Sequence, residues 1–421
     1  MKRTLHITLI TLALIGCSGK SQTVPQVTNT PQIRETVPIS AEPTWNVYDP
    51  DPDHIWNRVF HQFYGRTTRD GKEYGLGELD PLLWWDSTYL LDRDLHQQTI
   101  QLLDEFLSLH AENLIDDPLK RAMFQRDLWA VFDWLAFQSE PYPAEREALK
   151  TRLVPIIRKV ALTKEQIASL PDNYELAVQS DAFPGTYQED NPEAAFLPFD
   201  LFQPESAWVA IGREDGPVAM AHTEGFPFLG RSVFLVFVRS PNGRTATLDF
   251  IHSLNTERRP VLASSSAIAL VRRMLLIDNR GNLVLSPLVE TIQIRHFNPE
   301  QIFHEFELDR ASLLHGHAGS FRLKTELFLL FSSHGDMFEF HGVPIQATIP
   351  DICKACHVNI NAVFDRGTVQ GILSYSRANF PLPDDQQPFL LPTTWTDEAQ
   401  AVMDWKQNHP TWQALSRLWE Q

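Results

Sequence analysis

The hydrophobic residues of this chain change period once, and that change constrains its architecture more than any single residue does. Between 45 and 170, apolar side chains recur three and four residues apart, the repeat that lines one face of a helix. Ile55, Trp56, Val59, Phe60 and Phe63 define a first helical face, with Asp53 as its expected cap. Residues 87–113 carry a second face through Leu95, Ile100, Leu103, Phe106, Leu107 and His110. Pro118 suits the first turn of a third, with Met123, Leu128, Trp129, Phe132 and Leu135 on it. Helical spacing resumes over 145–160. Thr163 with Gln166 then predicts a capping box and a short helix ending before Pro171.

Residues 171–205 repeat Pro, Asp and Asn without a period and read as an irregular connection. From 206 the pattern is that of strands. Residues 233–238 are apolar on both faces, and Asn242-Gly243 predicts a turn into a strand over 245–251. Residues 267–277 and 283–297 flank a second turn at 279–281; 321–331 and 337–343 flank a third at His334-Gly335. Successive hairpins of double-faced strands predict an antiparallel β-sandwich-like domain over 206–345. Two closing helices, near 396–408 and 411–420, are separated by Pro410. The expected class is α+β: a helical N-terminal unit over 45–170, the sandwich-like domain, then a segment over 346–421 with C-terminal helices. A length of 421 residues, 43% of them apolar and including 11 Trp and 26 Phe, supplies more than one packing unit. The same composition excludes a wholly disordered chain and a multi-pass membrane protein.

The first 16 residues obey different rules. Lys2 and Arg3 precede an apolar run from Leu9 to Ile15, too short for a good spanning helix and patterned as an export signal. Leu14-Ile15-Gly16-Cys17 resembles the lipobox of bacterial lipoproteins. That resemblance implies cleavage before Cys17 and acylation of its thiol, and Ser18 is compatible with sorting to an outer membrane where the cell has one. The plainer alternative is a secretory signal with an incidental cysteine. Residues 17–44, rich in Ser, Thr, Gln and Pro, then read as a tether between the lipid and the folded body. An anchored, extracytoplasmic chain works out of reach of ATP and NAD(P)H. The net charge of −17 argues against a nucleic-acid partner.

Three cysteines are too few for a disulfide framework. The two besides Cys17 fall in one pentapeptide, Cys353-Lys354-Ala355-Cys356-His357. Two thiols on one tight turn can reach both vinyl groups of one haem, and the adjacent imidazole projects toward the iron. The pattern resembles the attachment motif of c-type cytochromes, which implies one covalent haem c held by Cys353 and Cys356, with His357 as an iron ligand. In that family haem is attached after export, and the export signal supplies that compartment independently. The resemblance covers the motif and not the body. For the sixth iron position His341 ranks first, because it ends a predicted strand 12 residues before Cys353. Met403 ranks second, as a methionine that follows the motif, and Met337 third.

Other uses of the same cysteines compete: a redox dithiol, a structural disulfide, or zinc held with His334, His341 or His357. The role implied is one-electron transfer to a redox partner protein at the membrane. A peroxidase-like haem enzyme with an open sixth position is the alternative, and a haem-binding sensor or assembly factor a third. His315-Gly316-His317 could bind a metal or simply form a polar turn. Asp49, Asp51, Asp53 and His54 lack the glycine and glutamate of a calcium loop and read better as a helix entry. Catalytic acids and bases cannot be picked from 53 carboxylates by pattern alone.

Overall fold

A computed structural model describes residues 46–67, 73–74, 88–137, 141–225, 228–256, 263–297, 301–317, 319, 321–323, 327–329, 339–340, 343–344, 346–348 and 389–421. Helix α1 (Ile55–Tyr64) buries the five apolar residues that predict it. Its cap is one residue later than expected: His54 Nδ1, not Asp53, accepts the Trp56 N–H at 3.3 Å. Asp49 and Asp51 are the cause. Their carboxylates take the N–H groups of Asp51 and Asp53, and these successive turns deliver the chain to the helix at His54. The second helical stretch breaks into a short 3₁₀ turn at Thr88–Leu91 and α2 (Arg93–Ser108), capped by Asp92. Helices α3 (Pro118–Phe137) and α4 (Pro143–Val160) follow the predicted spans closely. The capping box forms as read, with Thr163 and Gln166 bonded reciprocally ahead of α5 (Lys164–Ala168). Helix α6 (Asn173–Gln179), inside the expected irregular connection, is capped by Asp172.

The strands of the main sheet are β1 (Trp208–Arg213), β2 (Ser232–Arg239), β3 (Ser266–Ile277), β4 (Leu283–Phe297), β5 (Gln301–Leu308), β6 (Phe321–Leu323) and β7 (Leu390–Pro392). They form one antiparallel seven-stranded sheet in the order β7-β1-β2-β3-β4-β5-β6. The α+β organisation is as expected, with helices before and after the sheet. Three expectations change. Residues 245–251 are not a strand but lie in α8 (Arg244–Thr256). Gly243, at φ +91°, turns the chain into that helix, and Thr247 Oγ1 accepts the Ser240 N–H at 2.9 Å to fix the entry. A turn pair after a strand specifies a reversal, not the element that follows it.

The layer facing the sheet is also helical. Val233, Leu235 and Phe237 of β2 point into a large core with α1 through α6 and the C-terminal helices α10 (Trp395–Asn408) and α11 (Pro410–Trp419). Phe234, Val236 and Val238 point the other way, onto Phe250, Ile251 and Leu254 of α8. Two-sided apolar strands demand cover on both faces, and helices supply it as well as a second sheet does. The helices of 45–170 and the sheet therefore share one core. The short helices α7 (Met220–Thr223) and α9 (Arg310–Leu314) sit in connections beside the sheet. The third predicted hairpin does not form as read: Phe321–Leu323 pairs with β5, Leu327–Leu329 with Gln346–Thr348, and Glu339–Phe340 with Val343–Pro344, while the expected turn at His334-Gly335 lies outside the described residues.

Candidate functional site

Cys353, Cys356 and His357 lie outside the described residues, as do Cys17, His334, Met337 and His341. Met403, on α10, is partly buried and packs against the large core. His315 is exposed and closes the last turn of α9, its Nδ1 2.7 Å from the Ala311 carbonyl oxygen; Gly316, at φ +88°, then reverses the chain. The polar-turn reading describes that geometry. Among the described residues no three His, Cys, Asp or Glu side chains converge as a metal would require.

What the fold does bring together is charge, and it does so around α3. Every residue of that helix from Ala122 to Leu135 is buried, including Arg126, Asp127 and Asp133. Asp133 Oδ2 accepts from Arg231 Nη1 at 2.9 Å and from Lys406 Nζ at 2.6 Å. Lys406 completes its donors with the Leu229 carbonyl at 2.7 Å and Thr411 Oγ1 at 3.0 Å. Seven residues before Asp133, Arg126 grips Glu290 Oε1 through Nε and Nη2, at 3.1 and 3.0 Å. Ser232 Oγ accepts from Arg126 Nη2 and donates to Glu290 Oε2, whose other neighbour is Arg272 at 3.2 Å. Asp127 meets Arg310 through both carboxylate oxygens and accepts the Tyr48 hydroxyl at 2.6 Å.

Asp133 and Arg310 hold their charges against burial. Burial works against an ionised Asp133, but Lys406 and Arg231 outweigh it and keep the carboxyl below its ordinary range. Burial likewise opposes the Arg310 charge, and Asp127 overrides it, so that the guanidinium stays protonated. For Lys406 burial wins in part and lowers the ammonium to about 8.

A second feature opens at the surface. A groove of about 530 Å³ runs between the turn after β1 and the junction of α10 with α11. Glu214, Asp215, Met220, Asp404, Trp405 and His409 line it. The Trp405 and His409 rings stack at 4.8 Å. Behind the groove, Glu398 accepts the Val218 N–H at 2.8 Å, and burial raises its carboxyl to about 7.

Comparison with known protein families, curated protein sequences and solved structures finds no match. The chemistry of the described region therefore rests on its own geometry. Salt-bridged arginines and a triply bonded ammonium are neither nucleophiles nor metal ligands. They lock α3 against the sheet and the C-terminal helices. Glu398 is a carboxyl able to exchange a proton near neutrality. Sequence pattern missed all of these residues. The available signal was Arg126, Asp127 and Asp133 within the stretch 122–135, whose other residues are apolar except Gln125, so that a charged side chain there has no route to water on any face.

Proposed function

We propose that this chain is a membrane-anchored, extracytoplasmic monohaem c-type protein that passes single electrons to a redox partner. The observation that carries the proposal is Cys353-Lys354-Ala355-Cys356-His357 in a chain whose residues 2–16, ahead of Cys17, have the pattern of an export signal. The donor set fits the group: two thiols for two thioether bonds and an imidazole one residue on for the iron. Bound haem supplies reversible one-electron chemistry at its iron. Cys353 and Cys356 hold the macrocycle and His357 orients it, while the lipid on Cys17 keeps the body beside membrane partners. Among the described residues no helix is long and apolar enough to cross a membrane; in this reading the anchor is the lipid on Cys17. The acidic balance of the chain suits a basic patch on the partner, with association that weakens as salt rises.

Expression of the full chain in a cell that matures c-type cytochromes tests the proposal. A pyridine haemochrome spectrum that survives denaturation, and disappears in Cys356→Ala, is the expected result. Carbon monoxide should leave the spectrum unchanged, as a carrier with six ligands requires. A correctly exported but colourless protein overturns the proposal.

A further inference from the structure

One polar cluster on the large-core face of the sheet belongs to neither the ion network nor the groove. His296 of β4 is 0% exposed, and neither of its ring nitrogens has a hydrogen-bond partner. A neutral imidazole carries one donor and one acceptor, and burying both unmet is costly. Such an orphan points to a missing partner.

The sheet register identifies its neighbours. Arg239 of β2 pairs with Ala267 of β3, and Ala267 pairs with His296. Directly paired residues share a face, so Arg239 and His296 stand on either side of a single methyl group. Ile294 pairs with His304 of β5, which places His304 on the same face one strand further, its Nε2 also unpartnered. Arg239 has no ion-pair partner among the described residues. The connection after α6 covers this corner. Tyr187 stacks on the His296 ring with centroids 3.5 Å and planes 12° apart, and Glu193 lies near enough to His304 to act on its charge. Stacking occupies the face of the imidazole. Hydrogen bonds form in the ring plane, so the stacked Tyr187 does not satisfy either nitrogen.

We propose that this corner binds an oxyanion, held between the Arg239 guanidinium and the ring edge of His296. An oxyanion satisfies the orphaned donor and neutralises the unpaired guanidinium at once, whereas a metal cation would be repelled by Arg239. His304 offers a second edge to the same ligand. Burial, with Arg239 and His304 adding to it, holds the His296 pKa down at about 4. A bound anion acts in the opposite sense. The site is independent of the haem proposal, since none of its residues belongs to the motif.

Titration of the full chain with inorganic phosphate, with acetate as a second probe and sodium chloride at matched ionic strength as control, tests this. The readouts are binding heat and the Cε1–H resonance of His296. Saturable binding of either oxyanion is expected to raise the His296 pKa by about one unit or more. Preference between the probes then identifies the oxyanion class. Arg239→Gln should abolish binding and shift, and Arg239→Lys should restore part of both. Failure of both probes to bind saturably, or an equal shift in folded Arg239→Gln, overturns the proposal.

Discussion

The two faces of the seven-stranded sheet are closed in different ways. Under α8 the seam is made by Phe250, Ile251 and Leu254 on Phe234, Val236 and Val238. On the opposite side α3 carries, besides its apolar residues, three charged groups that reach Arg231, Glu290, Arg310 and Lys406. Apolar contact rewards burial without regard to orientation and tolerates sliding, whereas a buried ion pair is favourable in one arrangement and costly in all others. The α8 seam therefore supplies stability with little register information. The α3 face fixes which turn of the helix meets which strand.

The largest expected effect tests that contrast directly. Asp133→Ala removes one carboxylate and strands two buried cations, Arg231 and Lys406, so equilibrium urea unfolding should show a loss of about 3–5 kcal/mol. Replacing all three residues by apolar ones of similar volume should recover most of that loss; a triple variant as unstable as Asp133→Ala would break the comparison. On the other face, Ile251→Ala should cost about 2–4 kcal/mol through lost burial and a residual cavity, with the urea slope unchanged. The acid limb is the smallest of the three. His296 has a folded pKa near 4, below its ordinary unfolded value of about 6.5. Between those values the unfolded chain binds more protons, so stability is fully present above pH 6.5 and falls as pH drops toward 4, by about 3 kcal/mol at most. His296→Phe should flatten that slope in denaturant titrations taken across the range.

The same contrast explains what could be read in the residues beforehand. Helical faces were legible because spacing alone encodes them: α1, α3, α4 and the pair split at Pro410 all fall where period and proline put them. The capping box at Thr163 and Gln166 was legible because both partners lie within one turn. Strands β3 and β4 were legible through their apolar runs and the Asn279–Gly281 turn, whose Gly281 adopts φ +84°. Residues 245–251 misled because Thr, Ile and Phe suit a strand locally, while the packing of α8 on β1 and β2 is decided far along the chain. Strands β1, β5 and β7 were missed because their pairing partners, not their own patterns, make them strands. The ion network was illegible for a stronger reason: Asp133 meets Lys406 across 273 positions of sequence. The Cys353-Lys354-Ala355-Cys356-His357 pattern, by contrast, needs no long-range information at all. It was the most readable feature of the chain and lies outside the described residues.

The strand order has a consequence for how this protein is made. Strands β1 to β6 leave the ribosome in succession, and each can pair with the strand beside it as it appears. Strand β7 closes the exposed edge of β1, yet it follows residues 324–389 in the chain. Until those residues have emerged, β1 presents Ile211, Gly212 and Arg213 along an unpaired edge, the kind of surface that recruits strands from neighbouring chains. The piece of chain carrying the cysteine motif thus acts as a delay line in biogenesis, and a folding helper that shields one open sheet edge would have its task at that stage.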